Sequence, residues 1–170
     1  CGDGDTAGDY STYIDMHDAC WVEEDHQSDS CGEVVFNDSN IIATIDGNCA
    51  EHYEFQVTCH DWETPGGIYL PAGAYMMVVE LESSSPAQLG ISVIEYGTWK
   101  SYAWLEIYHD GGSPAVYELE FVLEVPLEEA KLGLHLGGNA GGTIVTVHRL
   151  ELLRRASDNE QGAGGGIYPW

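Results

Sequence analysis

Six side chains near the middle of the sequence combine flat apolar rings with a carboxylate at regular spacing. They are Tyr96, Trp99, Tyr102, Trp104, Glu106 and Tyr108, of which the last four occupy alternate positions in the segment SYAWLEIY. Side chains two positions apart on a β-strand lie on the same face, about 6.6–7 Å from each other. A row of rings at this spacing can stack against the C–H faces of successive sugar units, while the carboxylate accepts hydrogen bonds from hydroxyl groups.

The same rings have an alternative role in packing. Leu105 and Ile107 point to the opposite face of this strand, where we expect them to supply the hydrophobic core. The rings would then form a second apolar layer, covered by the N-terminal segment or by another subunit. Both interpretations place 101–108 in a strand, and they differ in what covers its aromatic face.

Three carboxylates lie close together at the start of the sequence, in GDGDTAGD. Asp3, Asp5 and Asp9 supply hard oxygen atoms on a glycine-rich segment, and such atoms are the ligands that Ca²⁺ prefers. The segment is therefore a candidate structural calcium site, although it lacks the twelve-residue EF-hand pattern with its terminal glutamate. The other interpretation is a solvated tether that binds no ion.

The cysteines indicate an oxidising compartment. The chain has five, all in its first third, and apart from Cys1 they are Cys20, Cys31, Cys49 and Cys59. Four cysteines allow three disulfide patterns, and the spacing that a zinc site requires is missing. We therefore predict two disulfides in an exported protein, with the local pairs Cys20–Cys31 and Cys49–Cys59 as the simplest arrangement.

The net charge limits the partners that this protein can have. The sequence contains 29 Asp and Glu residues against 5 Lys and Arg, which gives a formal net charge of −24. Phosphate backbones and anionic lipid surfaces repel such a protein. We therefore expect neither nucleic acid nor a membrane surface as a partner.

Motifs for catalysis are missing from the sequence. There is no Gly-x-Ser-x-Gly segment for a nucleophilic serine and no phosphate-binding glycine loop before a helix. The seven histidines are scattered, without a His-Glu-x-x-His pattern. Carboxylates are so abundant that a pair of them indicates nothing about acid–base catalysis. We predict that the protein is not an enzyme.

A repeated alternation of apolar and polar residues predicts the fold. It extends from Ile68 to Leu153 in short runs that Gly, Pro or Ser separates. With the short runs at 33–36, 39–46 and 52–58, the chain contains about nine or ten strands, which predict an all-β, antiparallel β-sandwich. In 115–125, for example, we expect Tyr117 and Phe121 to face the core while the glutamates between them face solvent.

The sequence divides into three segments. Residues 1–32 lack clear periodicity, which indicates an irregular, acidic arm held by a disulfide. Residues 33–155 form the predicted sandwich, and 156–170 combine a glycine-rich linker with an apolar tail.

The start at Cys1, followed by a small acidic run, is similar to the start of a mature bacterial lipoprotein. This similarity implies a lipid anchor on that residue. The alternative is that Cys1 is an ordinary half-cystine.

Three pieces of sequence between about residues 65 and 153 are similar to a known family. The first piece, LPAGAY at 70–75, is similar to an L-x-A-G-x-Y start of a core strand. The second, YELEF at 117–121 followed by Pro126, is similar to an x-F-x-x-P run. The third comprises LHLGG at 134–138, GGTIV at 141–145 and RLELL at 149–153, and is similar to a closing glycine-rich segment and strand. This part of the chain resembles the jelly-roll carbohydrate-binding modules, especially families four, nine and twenty-two. The resemblance implies a jelly-roll sandwich that binds a polysaccharide or another glycan.

Two functional hypotheses follow. The first is a non-catalytic, extracellular or cell-surface protein that binds carbohydrate on the aromatic strand face. The second is a structural subunit of an extracellular filament or surface assembly, which self-associates through its terminal segments. It rests on Cys1 and on the apolar tail 167–170, because a neighbour's terminal segment can add a strand to the open edge of a sheet.

Overall fold

The computed structural model describes residues 9–25, 31–60 and 67–155. Within these ranges the chain forms one short 3₁₀ helix, His52–Glu54, and twelve strands. The strands are β1 (Tyr10–Ile14), β2 (Trp21–Asp25), β3 (Gly32–Phe36), β4 (Ile41–Ile45), β5 (Phe55–Cys59), β6 (Ile68–Leu70), β7 (Gly73–Ser83), β8 (Ala87–Glu95), β9 (Ser101–His109), β10 (Ala115–Leu123), β11 (Leu127–His135) and β12 (Ile144–Arg155). None of the helical structure in these ranges is long and apolar enough to cross a membrane.

The strands form two six-stranded antiparallel sheets. The first has the order β10-β7-β12-β4-β3, with β1 paired to the end of β12. The second has the order β2-β5-β11-β8-β9, with β6 paired to the start of β11. The sheets enclose one hydrophobic core. The predicted all-β, antiparallel jelly-roll sandwich is confirmed.

The core lies where the alternation of the sequence predicts it. On β7, the side chains of Tyr75, Met77, Val79 and Leu81 are all fully buried. Burial of this apolar surface is the main favourable contribution to folding. Tyr75 keeps a polar partner inside the core, since its hydroxyl donates a hydrogen bond to the carbonyl of Pro71, and burial raises the pKa of this tyrosine to about 12.

The N-terminal segment differs from its prediction. Of the residues expected to be irregular, Tyr10–Ile14 form β1 and Trp21–Asp25 form β2. Among the described strands, β1 pairs only with β12, and β2 pairs only with β5. Short outer strands of this kind carry many polar side chains, so the alternation of apolar and polar residues along them is weak. Trp21 anchors this segment, because its ring is buried and its indole N–H donates to the carbonyl of Asp15 at 2.9 Å.

The two predicted disulfides are present, but the predicted pairing is wrong. The bonds join Cys20 to Cys59 and Cys31 to Cys49. Cys20 precedes β2 and Cys59 ends β5, and these strands are antiparallel neighbours. Cys31 and Cys49 flank the β3–β4 hairpin in the same way. Strand pairing therefore determines which cysteines meet, and proximity in sequence does not.

Candidate functional site

The predicted aromatic strand face belongs to the outer side of the second sheet, where a layer of polar side chains is buried. Trp104 on β9 lies opposite Ser92 on β8, and this row continues through Gly133 on β11 to Thr58 on β5. Residues directly opposite each other on neighbouring strands point to the same face. We call the buried polar side chains of this face the polar floor; they are Gln56, Thr58, His60, Ser92, Lys131 and His135.

The indole ring of Trp104 lies over Gly90. A Cβ atom at this position would overlap with the six-membered part of the ring, so glycine is required there. The ring also contacts the imidazoles of His52 and His135, with centroid separations of 5.2 and 5.0 Å. Trp104 remains 42% exposed. It is therefore held in place by the protein and still presents apolar surface to solvent.

Two histidines support this ring through a chain of hydrogen bonds. Nδ1 of His52 lies 3.0 Å from Nδ1 of His135, and Nε2 of His135 lies 2.8 Å from Oγ of Ser92. Burial, with His52 and Lys131 acting in the same direction, lowers the pKa of His135 to about 3. Its imidazole is therefore neutral above that pH, with one nitrogen as a donor and the other as an acceptor.

A pocket of about 200 Å³ opens beside Trp104. Its lining consists of Ala50, Glu51, His52, Gln88, Leu89, Trp104, Glu106, Gly137 and Gly138. The side-chain amide of Gln88 donates a hydrogen bond to the Glu106 carboxylate. The pocket thus combines an aromatic wall with a few placed polar groups, which is the usual composition of a small-molecule site.

Asn139 fixes the glycine loop that forms part of this pocket. Its side-chain carbonyl accepts the backbone N–H of Gln88 at 2.8 Å, and its amide donates to the carbonyl of Leu136 at 2.8 Å. These bonds join the loop after β11 to the first residues of β8. The pocket wall is consequently positioned by the sheet itself.

Tyr96 and Trp99 lie on the hairpin between β8 and β9 and cover another part of the polar floor. The ring of Trp99, which is 56% exposed, lies 5.2 Å from Nζ of Lys131, and Tyr96 stacks on His60 at 5.6 Å. The backbone of Trp99 has a φ of 63°, which is uncommon for a bulky residue. Its N–H donates to the carbonyl of Glu95. Such strain persists where the surrounding structure maintains it, often at functional sites.

The remaining two predicted rings lie in separate environments. Tyr102 occupies a β-bulge, packs against the hydrophobic core and has Nζ of Lys100 at 4.9 Å from its ring. Tyr108 is 69% exposed, lies opposite Gln88 and lines a second pocket with Asp110 and other residues of the β9–β10 loop. The structure therefore groups Trp104 with Glu106, groups Tyr96 with Trp99, and places Tyr102 apart from the exposed rings.

The metal prediction concerns residues that the structure describes only in part. Asp3 and Asp5 lie outside the described residues, and Asp9 is exposed. Within the described ranges, one cluster brings three possible ligand atoms together, from Asp25, Cys31 and Cys49. The two sulfurs of this cluster form a disulfide, so they are not thiolate ligands. A structural calcium ion remains a prediction.

Sequence reasoning did not identify the polar floor. Gln56, Thr58 and His60 alternate with apolar residues along and just after β5, and this alternation was visible in the sequence. A polar residue at such a position is ordinarily solvent-exposed. Here these residues are buried; the ring of Tyr96 stacks on His60, and only the tertiary structure shows that cover.

No known family profile matches the sequence, and no curated protein matches it. Solved structures do match. A carbohydrate-binding module described as "CBM4 structure and function" has a TM-score of 0.60 and 13% identity, over 78% of this chain and 93% of that one. The second N-terminal cellulose-binding domain of Cellulomonas fimi β-1,4-glucanase C has a TM-score of 0.54 and 14% identity, over 85% and 92%.

A third neighbour is TmCBM61 in complex with β-1,4-galactotriose. Its TM-score is 0.52 at 15% identity, over 80% of this chain and 89% of that one. Likeness at such low identity shows the fold and leaves the site to be argued from its own residues. The chain has the jelly-roll fold of carbohydrate-binding modules, and the resemblance found in the sequence is confirmed.

Proposed function

We propose that this protein is a non-catalytic carbohydrate-binding module whose ligand stacks on Trp104. The observation that carries the proposal is the fixed but exposed indole over Gly90, beside a pocket lined by Glu106 and Gln88. Solved neighbours whose descriptions name carbohydrate-binding modules or a cellulose-binding domain support it. They also support a function without catalysis.

The chemistry of the pocket suits a pyranose ring. The apolar C–H face of the sugar would cover the open surface of the Trp104 indole, which excludes water from both. The Glu106 carboxylate would accept hydrogen bonds from sugar hydroxyls, and charge-assisted bonds of this kind are stronger than neutral ones. Because Gln88 already donates to Glu106, the carboxylate is oriented before the ligand arrives.

The cysteines support the proposal of an exported protein. All four cysteines within the described residues form disulfides, and such bonds persist mainly in oxidising compartments. We place the protein outside the cell or on its surface. A lipid on Cys1 and a calcium ion at Asp3, Asp5 and Asp9 remain part of this proposal and rest on the sequence alone.

Binding to polysaccharides tests the function. Affinity electrophoresis and isothermal titration calorimetry against β-glucans, xylans, mannans and β-1,4-galactans should detect at least one ligand. Trp104→Ala should abolish the binding. Phe36→Ala is the matched control, since Phe36 lies on β3 of the other sheet and is exposed to nearly the same extent, 43%. Absence of binding in the wild type, or equal binding by Trp104→Ala, contradicts the proposal.

The filament hypothesis gains no further support. It depends on Cys1 and on 167–170, which lie outside the described residues. Sedimentation velocity at high salt separates the two functions, because a filament subunit would assemble there and a binding module would not.

A further inference from the structure

We propose that the bound glycan runs along β9, from Trp104 past Glu106 to Tyr108 and Asp110, and does not cross the strands of the sheet. This inference rests on the proposed function and adds the direction of the ligand and a distal subsite. Two features carry it: side chains of the protein fill the half of the sheet face that lies toward the β8–β9 hairpin, and the outer side of the edge strand β9 is open.

A buried ion pair closes the middle of the sheet face. Nζ of Lys131 lies 2.8 Å from Oε1 of Glu24, and the Thr58 hydroxyl donates to the same carboxylate oxygen at 3.1 Å. Lys131 is only 4% exposed, and the ring of Trp99 lies against its ammonium group. A ligand crossing the strands here would have to displace Trp99 from a charge that is almost fully buried.

A second stacked pair extends this closure. Tyr96 lies on His60, and the two rings are nearly parallel, with an interplanar angle of 15°. His60 is almost fully buried and belongs to the same polar floor. The half of the face that lies toward the β8–β9 hairpin is therefore filled by side chains, which leaves the Trp104 half for a ligand.

The outer side of β9 offers a continuous open path. Trp104, Glu106 and Tyr108 occupy alternate positions and are all exposed. Each step between them is about 6.6–7 Å, so the row extends on the order of 13 Å. On the neighbouring strand, Gln88 lies opposite Tyr108 and bonds to Glu106. Apolar rings at both ends and hydrogen-bonding groups between them suit a linear glycan.

The distal end of this path is a second pocket, at the edge where β9 and β10 meet. Its lining is Tyr108, His109, Asp110, Ser113, Ala115 and Tyr117. Burial, reinforced by the charge of Asp110, raises the pKa of Tyr117. The Tyr117 hydroxyl is protonated at neutral pH, as it is in an ordinary tyrosine, and can donate a hydrogen bond. Together with the Asp110 carboxylate, this hydroxyl supplies the polar contacts that an exposed ring alone would lack.

His109 fixes the loop that carries these groups. The buried imidazole accepts the backbone N–H of Gly111 on Nδ1 at 3.0 Å, so Nε2 holds the proton and donates to the carbonyl of Ser113 at 2.9 Å. Asp110 accepts the N–H of Gly112 through Oδ1 at 2.8 Å. The loop is thus shaped by the chain, and Asp110 is held beside the end of the path.

The charge of the path defines the ligand class. Glu106 and Asp110 are both acidic, and the net charge of the chain is −24. A chain of uronic acids or sulfated sugars would meet like charges in the middle of the row, at Glu106, and at its distal end, at Asp110. We therefore expect an uncharged, linear polysaccharide segment.

Affinity as a function of chain length tests the direction. Cello-, xylo-, manno- and β-1,4-galacto-oligosaccharides, from disaccharide to hexasaccharide, are titrated by calorimetry. For the series that binds, the hexasaccharide should bind more tightly than the disaccharide. Tyr108→Ala and Asp110→Asn should each weaken hexasaccharide binding about tenfold, equivalent to about 1.4 kcal/mol, and leave disaccharide binding unchanged.

Tyr69→Ala is the matched control, because Tyr69 is an exposed tyrosine on β6, away from β9 in the same sheet. It should have no effect, and near-ultraviolet circular dichroism should show that each variant is folded. If Tyr69→Ala removes the length dependence, or Tyr108→Ala and Asp110→Asn leave it intact, the proposed direction is wrong while carbohydrate binding stands. If the wild type binds no oligosaccharide and no polysaccharide, both proposals are overturned.

Discussion

Lys131 and Glu24 form an ion pair that bridges two strands which are not neighbours. Lys131 lies on β11 and Glu24 on β2, and the pair spans β5, with Nζ 2.9 Å from Oε2. Their side chains are only 5% and 14% exposed. Charges this far from water require a close partner and further hydrogen bonds. The Thr58 hydroxyl of the intervening strand supplies one of them.

The first prediction concerns this pair. Lys131→Met should lower the free energy of unfolding by about 3–5 kcal/mol, because it leaves the Glu24 carboxylate without its compensating cation. The double variant Lys131→Met/Glu24→Gln should recover most of the loss. Urea unfolding of the two single variants and the double variant measures the coupling. If the loss in the free energy of unfolding of the double variant equals the sum of the losses of the two single variants, the pair is not coupled.

The second prediction concerns the room that Gly90 leaves for the Trp104 ring. Gly90→Ala should displace the indole, lower the free energy of unfolding by about 1–3 kcal/mol and remove carbohydrate binding. Tryptophan fluorescence and calorimetry measure the two effects. Gly112→Ala is a suitable control for stability, since its Cβ would meet only the Asp110 side chain. Unchanged fluorescence and binding in Gly90→Ala would refute the supporting role of this glycine.

The third prediction concerns pH. The pKa of His135 is lowered from 6.5 to about 3 in the folded protein, so the unfolded chain takes up this proton first. The stability that His135 contributes is complete above pH 6.5 and is lost as the pH falls toward 3, at up to about 1.4 kcal/mol per pH unit. In His135→Asn, the decrease in stability between about pH 7 and pH 5 should be shallower. Equal slopes in chemical denaturation would rule this out.

The fourth prediction concerns the disulfides. Peptide mapping without reduction should yield fragments that link Cys20 to Cys59 and Cys31 to Cys49. Their sequence separations are 39 and 18 residues, and chain entropy then predicts about 3–4 kcal/mol of stabilisation from each bond. Replacing both cysteines of one pair by alanine and measuring urea unfolding tests the magnitude. Fragments that link Cys20 to Cys31 would contradict the fold near β2.

The strands that alternate strongly were predictable from sequence. On β10, Tyr117 and Phe121 face the core while Glu118 and Glu120 face solvent, as the period of two requires. β1 and β2 were not predictable, because short strands at the margin of a sheet bury few side chains. Disulfide pairing was missed for a related reason, since it depends on which strands become neighbours.

The candidate site was predictable only in part. Alternation correctly placed Trp104, Glu106 and Tyr108 on one exposed face, but the bulge at Tyr102 interrupts that row. A bulge arises from the pairing of two strands and leaves no clear sequence signal. The polar floor was missed because its members look solvent-exposed in the sequence, while in the folded protein they are buried and rings from other elements lie against His60, Lys131 and His135.

The burial of Lys131 also affects how the molecule interacts with other polymers at a distance. The sequence has only two lysines, and one of them is enclosed, which leaves the surface with fewer cations to offset 29 acidic residues. The protein must therefore gather a dense cloud of counter-ions. The electrostatic field of the protein extends over tens of ångströms in dilute salt, and the screening length falls to about 10 Å at 0.1 M ionic strength. Ionic strength therefore determines which polymers can approach the protein. Uncharged polymers approach it at any salt concentration, whereas polyanions approach it only where salt screens the repulsion.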